Sequence, residues 1–305
     1  MKYITKQSRK RTYDPISNNN YLIIILLFGA LLSLALFRVL PVMYTLRISF
    51  TNWNLYDPNS NSQFIGFKNY LDLLSEERFI NAMLVTGKIL LSSVPMSLVF
   101  GIILALIMYE EAKFSLIVRG IVITAMIVAP VVMGTTWKLM YNTGNGIFNI
   151  ALQYFGFDEI PFLSLQSTAL WAIVIANVWQ ESPFVMVIVL SGLYGVQLEV
   201  IEAAKVDGTN YFNRLILIVF PQIKKSIFLA LLFRTIDSLK IFDLIWTMTK
   251  GGPGKATLNL NVLMYQEAFQ EYQFGTSSAI AVINMAIIAF LCCFIIFITE
   301  KDTKG

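Results

Sequence analysis

The sequence predicts an all-α integral membrane protein with six transmembrane helices. Three observations carry this. Apolar residues make up 56% of the 305-residue chain and charged residues only 14%, with a mean hydropathy of +0.66; a soluble domain carries about 45–50% and about 25%. Six apolar stretches each exceed the roughly 20 helical residues that cross about 30 Å of hydrocarbon. The polar segments between them carry lysine and arginine mainly on one side of the implied membrane. Helices are expected because lipid cannot satisfy an open backbone.

In chain order, residues 1–20 form a polar tail with Lys2, Lys6, Arg9, Lys10 and Arg11. The first span, residues 21–46, is too long for a signal-peptide core and lacks a small-residue cleavage site, so it reads as uncleaved. A loop rich in Asn, Asp, Tyr and Trp leads to the second span, residues 83–109, with Lys88 and Pro95 inside it. After a short charged turn comes the third, residues 116–140, containing Ala129-Pro130-Val131. A loop without lysine or arginine precedes the fourth, residues 169–194, where Pro183 permits a kink. Residues 195–222 form a polar connector: a short helix from Glu199 to Val206, a stop at Gly208, and an amphipathic run ending at Pro221. The fifth span, residues 223–249, is the most polar. The sixth, residues 276–299, precedes a charged tail, residues 300–305. Single glycines at 29, 87, 101, 134 and 192 are expected to mark close helix packing.

Thirteen lysines and arginines fall on the side of the two tails, counting Arg119, Lys224 and Lys225 at the tail-side ends of their spans, and five on the other, with five more elsewhere inside spans. The positive-inside rule then puts both termini and the 195–222 connector in the cytoplasm.

Enzyme chemistry is poorly supplied. The chain has no histidine, and its two cysteines, Cys292 and Cys293, are adjacent within an apolar run, unsuited to an ordinary disulfide or a zinc site. The run from Thr249 to Thr257 resembles a phosphate loop only superficially: Thr249 replaces the first glycine and Ala256 the Ser or Thr after the lysine. It reads as a turn leaving the fifth span.

Charges inside the spans are the more telling feature. Arg234, Asp237, Ser238, Lys240 and Asp243 lie within ten residues. A charge at the bilayer centre costs at least about 2.5–3.5 kcal/mol. The spacing allows i, i+3 pairing. The helix either lines a hydrated pathway for a polar solute or belongs to an ion-paired network between helices. Asn177, Trp179, Gln180, Glu181 and Ser182 in the fourth span suit a sugar, with amides and a carboxylate for hydroxyls and an indole for the ring; helix–helix hydrogen bonding is the alternative. Asn284 in the sixth span and Lys88 in the second are single polar positions.

Within the connector, Glu202-Ala203-Ala204, three residues, Gly208, nine residues, Ile218, one residue and Phe220-Pro221 resemble the EAA loop of bacterial ABC-importer permeases, with Phe220 where leucine is usual. The stretch from Asp243 to Pro253 resembles the close of the fifth core span in the carbohydrate importers, and Phe64 to Tyr70 resembles their first outer loop. The resemblance points to the maltose/glycerol-phosphate-type permeases, and to the F-like member of their pair. It implies the type I ABC-importer permease fold in a bacterial cytoplasmic membrane. It also implies a second permease subunit, two cytoplasmic ATPase subunits that use ATP and Mg²⁺, an extracytoplasmic solute-binding protein, a sugar substrate, and no cofactor bound by this chain. Glu202, Ala203, Ala204, Asp207, Gly208 and Pro221 would form the ATPase-coupling loop. An ATPase-independent secondary transporter or channel for a polar solute is the alternative.

Overall fold

The computed structural model of the protein describes residues 20–57, 63–110 and 115–304. The basic tail expected at 1–20 and the charged turn around Lys113 lie outside these residues, as does Gly305 at the other tail; position 20 itself is described. The chain forms two compact units, residues 1–47 and 48–305. In the first, α1 (Asn20–Leu34) passes through a single π-helical turn (Ala35–Val39) into α2 (Leu40–Ile48). The π turn falls just before Pro41, whose ring removes a donor from the ladder. The expected first span is contained in this rod, which is apolar and long enough to cross a membrane.

The second unit starts with two isolated antiparallel bridges, Thr51 to Phe64 and Asn54 to Gln273. Among the described residues there is no longer strand. A short helix, α3 (Lys68–Ser75), is fixed by the Asn69 amide, which donates 2.8 Å hydrogen bonds to the carbonyls of Ser49 and Thr51. The second span is α4 (Glu77–Glu110), which starts earlier than residue 83 and runs unbroken through Pro95.

The third span is corrected by the structure. It is two helices, α5 (Ser115–Ile127) and α6 (Pro130–Met140), bent by 98°. The cause is local: Pro130 forces Ala129 out of the helical region (ψ 133°) and then serves as the first residue of α6. After α7 (Ile147–Tyr154), the fourth span α8 (Gln166–Tyr194) runs as one helix through Pro183.

The fifth span is corrected in both limits. After α9 (Leu198–Val206), α10 (Tyr211–Arg214) leads through a π turn (Leu215–Val219) directly into α11 (Phe220–Lys240), so the spanning rod is Tyr211–Lys240. Pro221 does not end a segment; it lies inside the rod, just after the π turn, where its ring removes one donor from the ladder. The rod stops at Ile241, and α12 (Asp243–Met248) follows the break. A further helix, α13 (Leu260–Phe269), occupies the expected loop after residue 250, and α14 (Phe274–Lys304) is the sixth span.

The core is built on α4 packed along α8, with α11 against both and α14 against α11 and α13. Gly101 of α4 makes this possible: a Cβ there would collide with the Val185 side chain and the Ser182 carbonyl of α8. Gly192 meets Ser226 and Gly134 meets Thr247 in the same way, whereas Gly29 and Gly87 face open space. Two apolar clusters result. One joins Phe79, Val85 and Ile89 of α4 to Ile173 of α8, Ile245 of α12 and Ile280 of α14. The other joins Ala105 and Met108 of α4 to Val185, Met186 and Val189 of α8 and Ile223 and Ala230 of α11. Buried polar residues lie between these clusters, Ser93 and Ser97 on α4 and Asn177, Gln180 and Ser182 on α8, and α11 adds Arg234 and Ser238.

Candidate functional site

The first site is the elbow between α8 and α11. Helix α9 ends in a Schellman arrangement: the Gly208 N–H donates to the Lys205 carbonyl and the Thr209 N–H to the Ala204 carbonyl, both at 3.1 Å. This requires a left-handed residue, and Gly208 supplies it at φ +75°. Asn210 then caps α10, its side chain accepting a 2.8 Å bond from the Asn213 N–H. The two faces of α9 differ. Ile201 and Ala204 turn inward, while Glu202, Ala203, Val206 and Asp207 are exposed. Val206 is 88% exposed, so the outward face carries an acid and a protruding apolar group side by side.

The second site is the polar belt. Arg234 of α11 is 0% exposed and reaches both α4 and α8. Its Nε donates to Ser97 Oγ of α4 at 3.0 Å, its Nη2 to Asn177 Oδ1 of α8 at 2.9 Å, and its Nη1 lies 3.4 Å from the Glu181 carboxylate. One turn on, Ser238 faces Ser93 of α4 at 3.3 Å. The i, i+3 pairing allowed by the sequence is not what forms: among the described residues Arg234 makes no salt bridge to Asp237, and the helix break separates Lys240 from Asp243. Three other polar residues are held by backbone carbonyls. Gln180 donates to the Val128 carbonyl at 3.2 Å, at the bend between α5 and α6. Asn261 donates to Leu239 at 2.8 Å, and Asn284 to Leu239 at 3.4 Å and to the Asn261 side chain at 3.1 Å. These amides occupy the C-terminal end of α11, whose last carbonyls have no intrahelical donors.

The opposite face of α11 is different. Phe233, Asp237 and Lys240 are exposed along one stripe, and Asp243 is exposed at the start of α12. Trp179 of α8 is half exposed and meets Trp137 edge-on at 5.8 Å. Glu181, with a side chain 24% exposed, is the one member of the belt that reaches toward the surface.

The glycine-proline loop after α12 is closed on itself. Thr249 and Thr257 hydroxyls lie 2.7 Å apart, and the Thr257 hydroxyl also donates to the Gly252 carbonyl at 2.7 Å. Its polar groups are engaged with one another, as a turn requires.

Residues 97–301, from α4 through the elbow into α14, match the family described as binding-protein-dependent transport system inner membrane component. The chain belongs to that family. Relatives of this inner membrane component include the trehalose/maltose transport system permease protein MalF of Thermococcus litoralis, 35% identical over 271 residues, covering 88% of this chain and 89% of the relative. The trehalose transport system permease protein SugA of Mycobacterium tuberculosis is 36% identical, covering 82% and 80%. The fold matches a chain in the crystal structure of a bacterial ABC transporter involved in importing the acidic polysaccharide alginate, with a TM-score of 0.82 over 96% of this chain and 99% of that one, at 20% identity. The inner membrane component is thus a multi-pass membrane protein with the ABC-importer permease fold.

Sequence reasoning did not anticipate several groups in this inner membrane component. Ser93 and Ser97 are ordinary residues of an apolar span, and Asn259 and Asn261 lay in a loop. Arg78 forms a 2.8 Å salt bridge with Glu267 and a 2.8 Å hydrogen bond to Gln266, joining α4 to α13. Arg119 of α5 donates to the Met108 carbonyl at 2.8 Å and to the Tyr194 hydroxyl, joining the ends of α4 and α8. Arg78 and Glu267 are 189 residues apart and Arg119 and Tyr194 are 75, and only Asn, Ser and charge inside or beside a span could have flagged such groups.

Proposed function

We propose that this chain is one of two non-identical membrane subunits of an ATP-driven importer for a sugar or oligosaccharide, working by alternating access. The observation that supports it most is the elbow. A short, capped helix presents Glu202 and Ala203 outward on a connector that runs directly into the spanning rod. One of two cytoplasmic ATPase subunits, which hydrolyse ATP with Mg²⁺, docks there, and its movement rocks the rod. Each ligand favours one of two states of the spans. Both termini are cytoplasmic, and an extracytoplasmic binding protein delivers the solute on the other side.

The exposed stripe of Asp237 and Lys240, with Asp243 and Trp179, lines the hydrated pathway against the second membrane subunit. Charges at this depth on a lipid-facing surface would be costly. The sugar assignment follows the relatives named for trehalose and maltose transport. Glu202→Lys reverses the charge at the contact, and Gly208→Val places a β-branched residue at positive φ. Both variants should insert in the membrane yet lower sugar uptake by the reconstituted importer at least about tenfold. Normal uptake in both, or a tagged chain that never captures an ATPase subunit, would overturn the proposal.

A further inference from the structure

The inward face of α9 covers a crevice of about 170 Å³ whose lining includes Tyr109 of α4, Leu193 of α8, Ile201 and Lys205 of α9, and Arg214 and Leu215 of the rod. We propose that this crevice binds the phosphate headgroup of an anionic phospholipid, and that Lys205 and Arg214 are its recognition residues.

Charge is the first argument. Two cations converge on one small opening. Among the described residues neither makes a salt bridge, although Glu202 and Asp207 lie on the same short helix. Arg214 is steered by its packing over the Tyr211 ring, at 5.7 Å from the ring centre. Size is the second. The crevice is smaller than the roughly 300–1,000 Å³ typical of pockets that bury a drug-sized solute, so it takes a compact group and leaves the remainder of the molecule outside.

Surroundings are the third. The walls are the ends of spans, and beside Arg214 the surface is apolar, with Phe212 70%, Ile216 55% and Leu217 70% exposed. A free inorganic anion gains nothing from such a surface; acyl chains do. The π turn Leu215–Val219 forms one wall, and such turns recur at functional sites. Finally, Ile201 and Ala204 turn inward, and Lys205, itself exposed, stands at the rim of the crevice. Basic pockets between spans at a membrane surface are known to hold anionic headgroups.

The test uses the full-length chain, purified in detergent with equal phosphatidylglycerol and phosphatidylcholine and examined by native mass spectrometry. Phosphatidylglycerol should be retained preferentially. The double variant K205Q/R214Q should lose that preference at least about tenfold, while K205R/R214K, which keeps both charges, should hold it. Equal retention of the two lipids, or an unaltered preference in K205Q/R214Q, overturns the proposal. So does displacement by millimolar inorganic phosphate, which would mark a site for a soluble anion. Loss of the lipid when ATPase subunits bind would assign the two cations to a protein interface and also overturn it. None of these outcomes depends on sugar transport.

Discussion

Two faces of one helix, α11, met opposite fates. Arg234 and Ser238 point into the protein, where α4 and α8 supply hydrogen-bond partners for Ser238 and for Nε and Nη2 of Arg234, and Nη1 faces only the Glu181 carboxylate at 3.4 Å. Asp237 and Lys240, within one turn of them, point away from the chain. The same ten residues thus contain both readings of an intramembrane charge: a network that holds helices together and a surface awaiting something polar. Which residue does which is decided by rotation about the helix axis, about 100° per residue, and not by how many charges a span contains.

The sharpest way to break this contrast is to remove Arg234. Arg234→Ala leaves Glu181 without its cation and opens the belt, and should destabilise the protein by about 3–5 kcal/mol, as for other broken buried pairs. Thermal unfolding in detergent measures it; a loss below about 1 kcal/mol would mean that the belt is not structural. Asn177→Leu should come next. It strips one acceptor from the buried guanidinium, at about 1–3 kcal/mol, in the same assay.

Asp237→Ala probes the other face. Its effect on unfolding should stay within about 0.5 kcal/mol, while transport by the assembled importer falls severalfold. Loss of stability with transport intact would erase the distinction between the faces. The smallest effect is expected at Glu267, on α13 outside the spans, which pairs with Arg78 at the start of α4. Burial holds the Glu267 carboxyl above the usual carboxylate range, outweighing the opposing pull of Arg78, with Glu76 and Glu271 adding to the upward shift. The folded state therefore holds that proton more tightly than the unfolded chain. Its contribution to stability is fullest below the ordinary carboxylate value and is lost as pH rises through the raised one. Protection of the α13 amides, corrected for the intrinsic base-catalysed exchange rate, should fall slightly from pH 4 to pH 7, and Glu267→Gln should flatten that dependence.

The elbow was legible in the sequence for a physical reason. Its signals are local: a polar stretch between apolar spans, a glycine at the one position needing positive φ, and a helix of nine residues. Span limits were less so. Hydropathy averages over a window, so the apolar residues after Ile241 seemed to extend the fifth span, and Arg214, Lys224 and Lys225 seemed to postpone its start. Pro130 was visible, but the apolar residues on both sides concealed a bend of 98°. The partners of Arg234 were beyond reach. Ser97 is 137 residues away and Asn177 is 57, and the azimuth at which helices meet is a property of packing.

The rod from Tyr211 to Lys240 has a mechanical meaning. Its 30 residues form a lever of about 45 Å, with the elbow as its handle. At the far end it does not fade into a flexible loop. It stops at Ile241, where the amides of Asn259, Asn261 and Asn284 grip its last carbonyls. A tilt of about 5° at the handle sweeps such an arm through about 4 Å at its tip. Because the tip is gripped, α13 and α14 must travel with it. Under the proposed coupling, a stroke applied at the elbow is delivered at the break beside Asp243, at the other end of the rod.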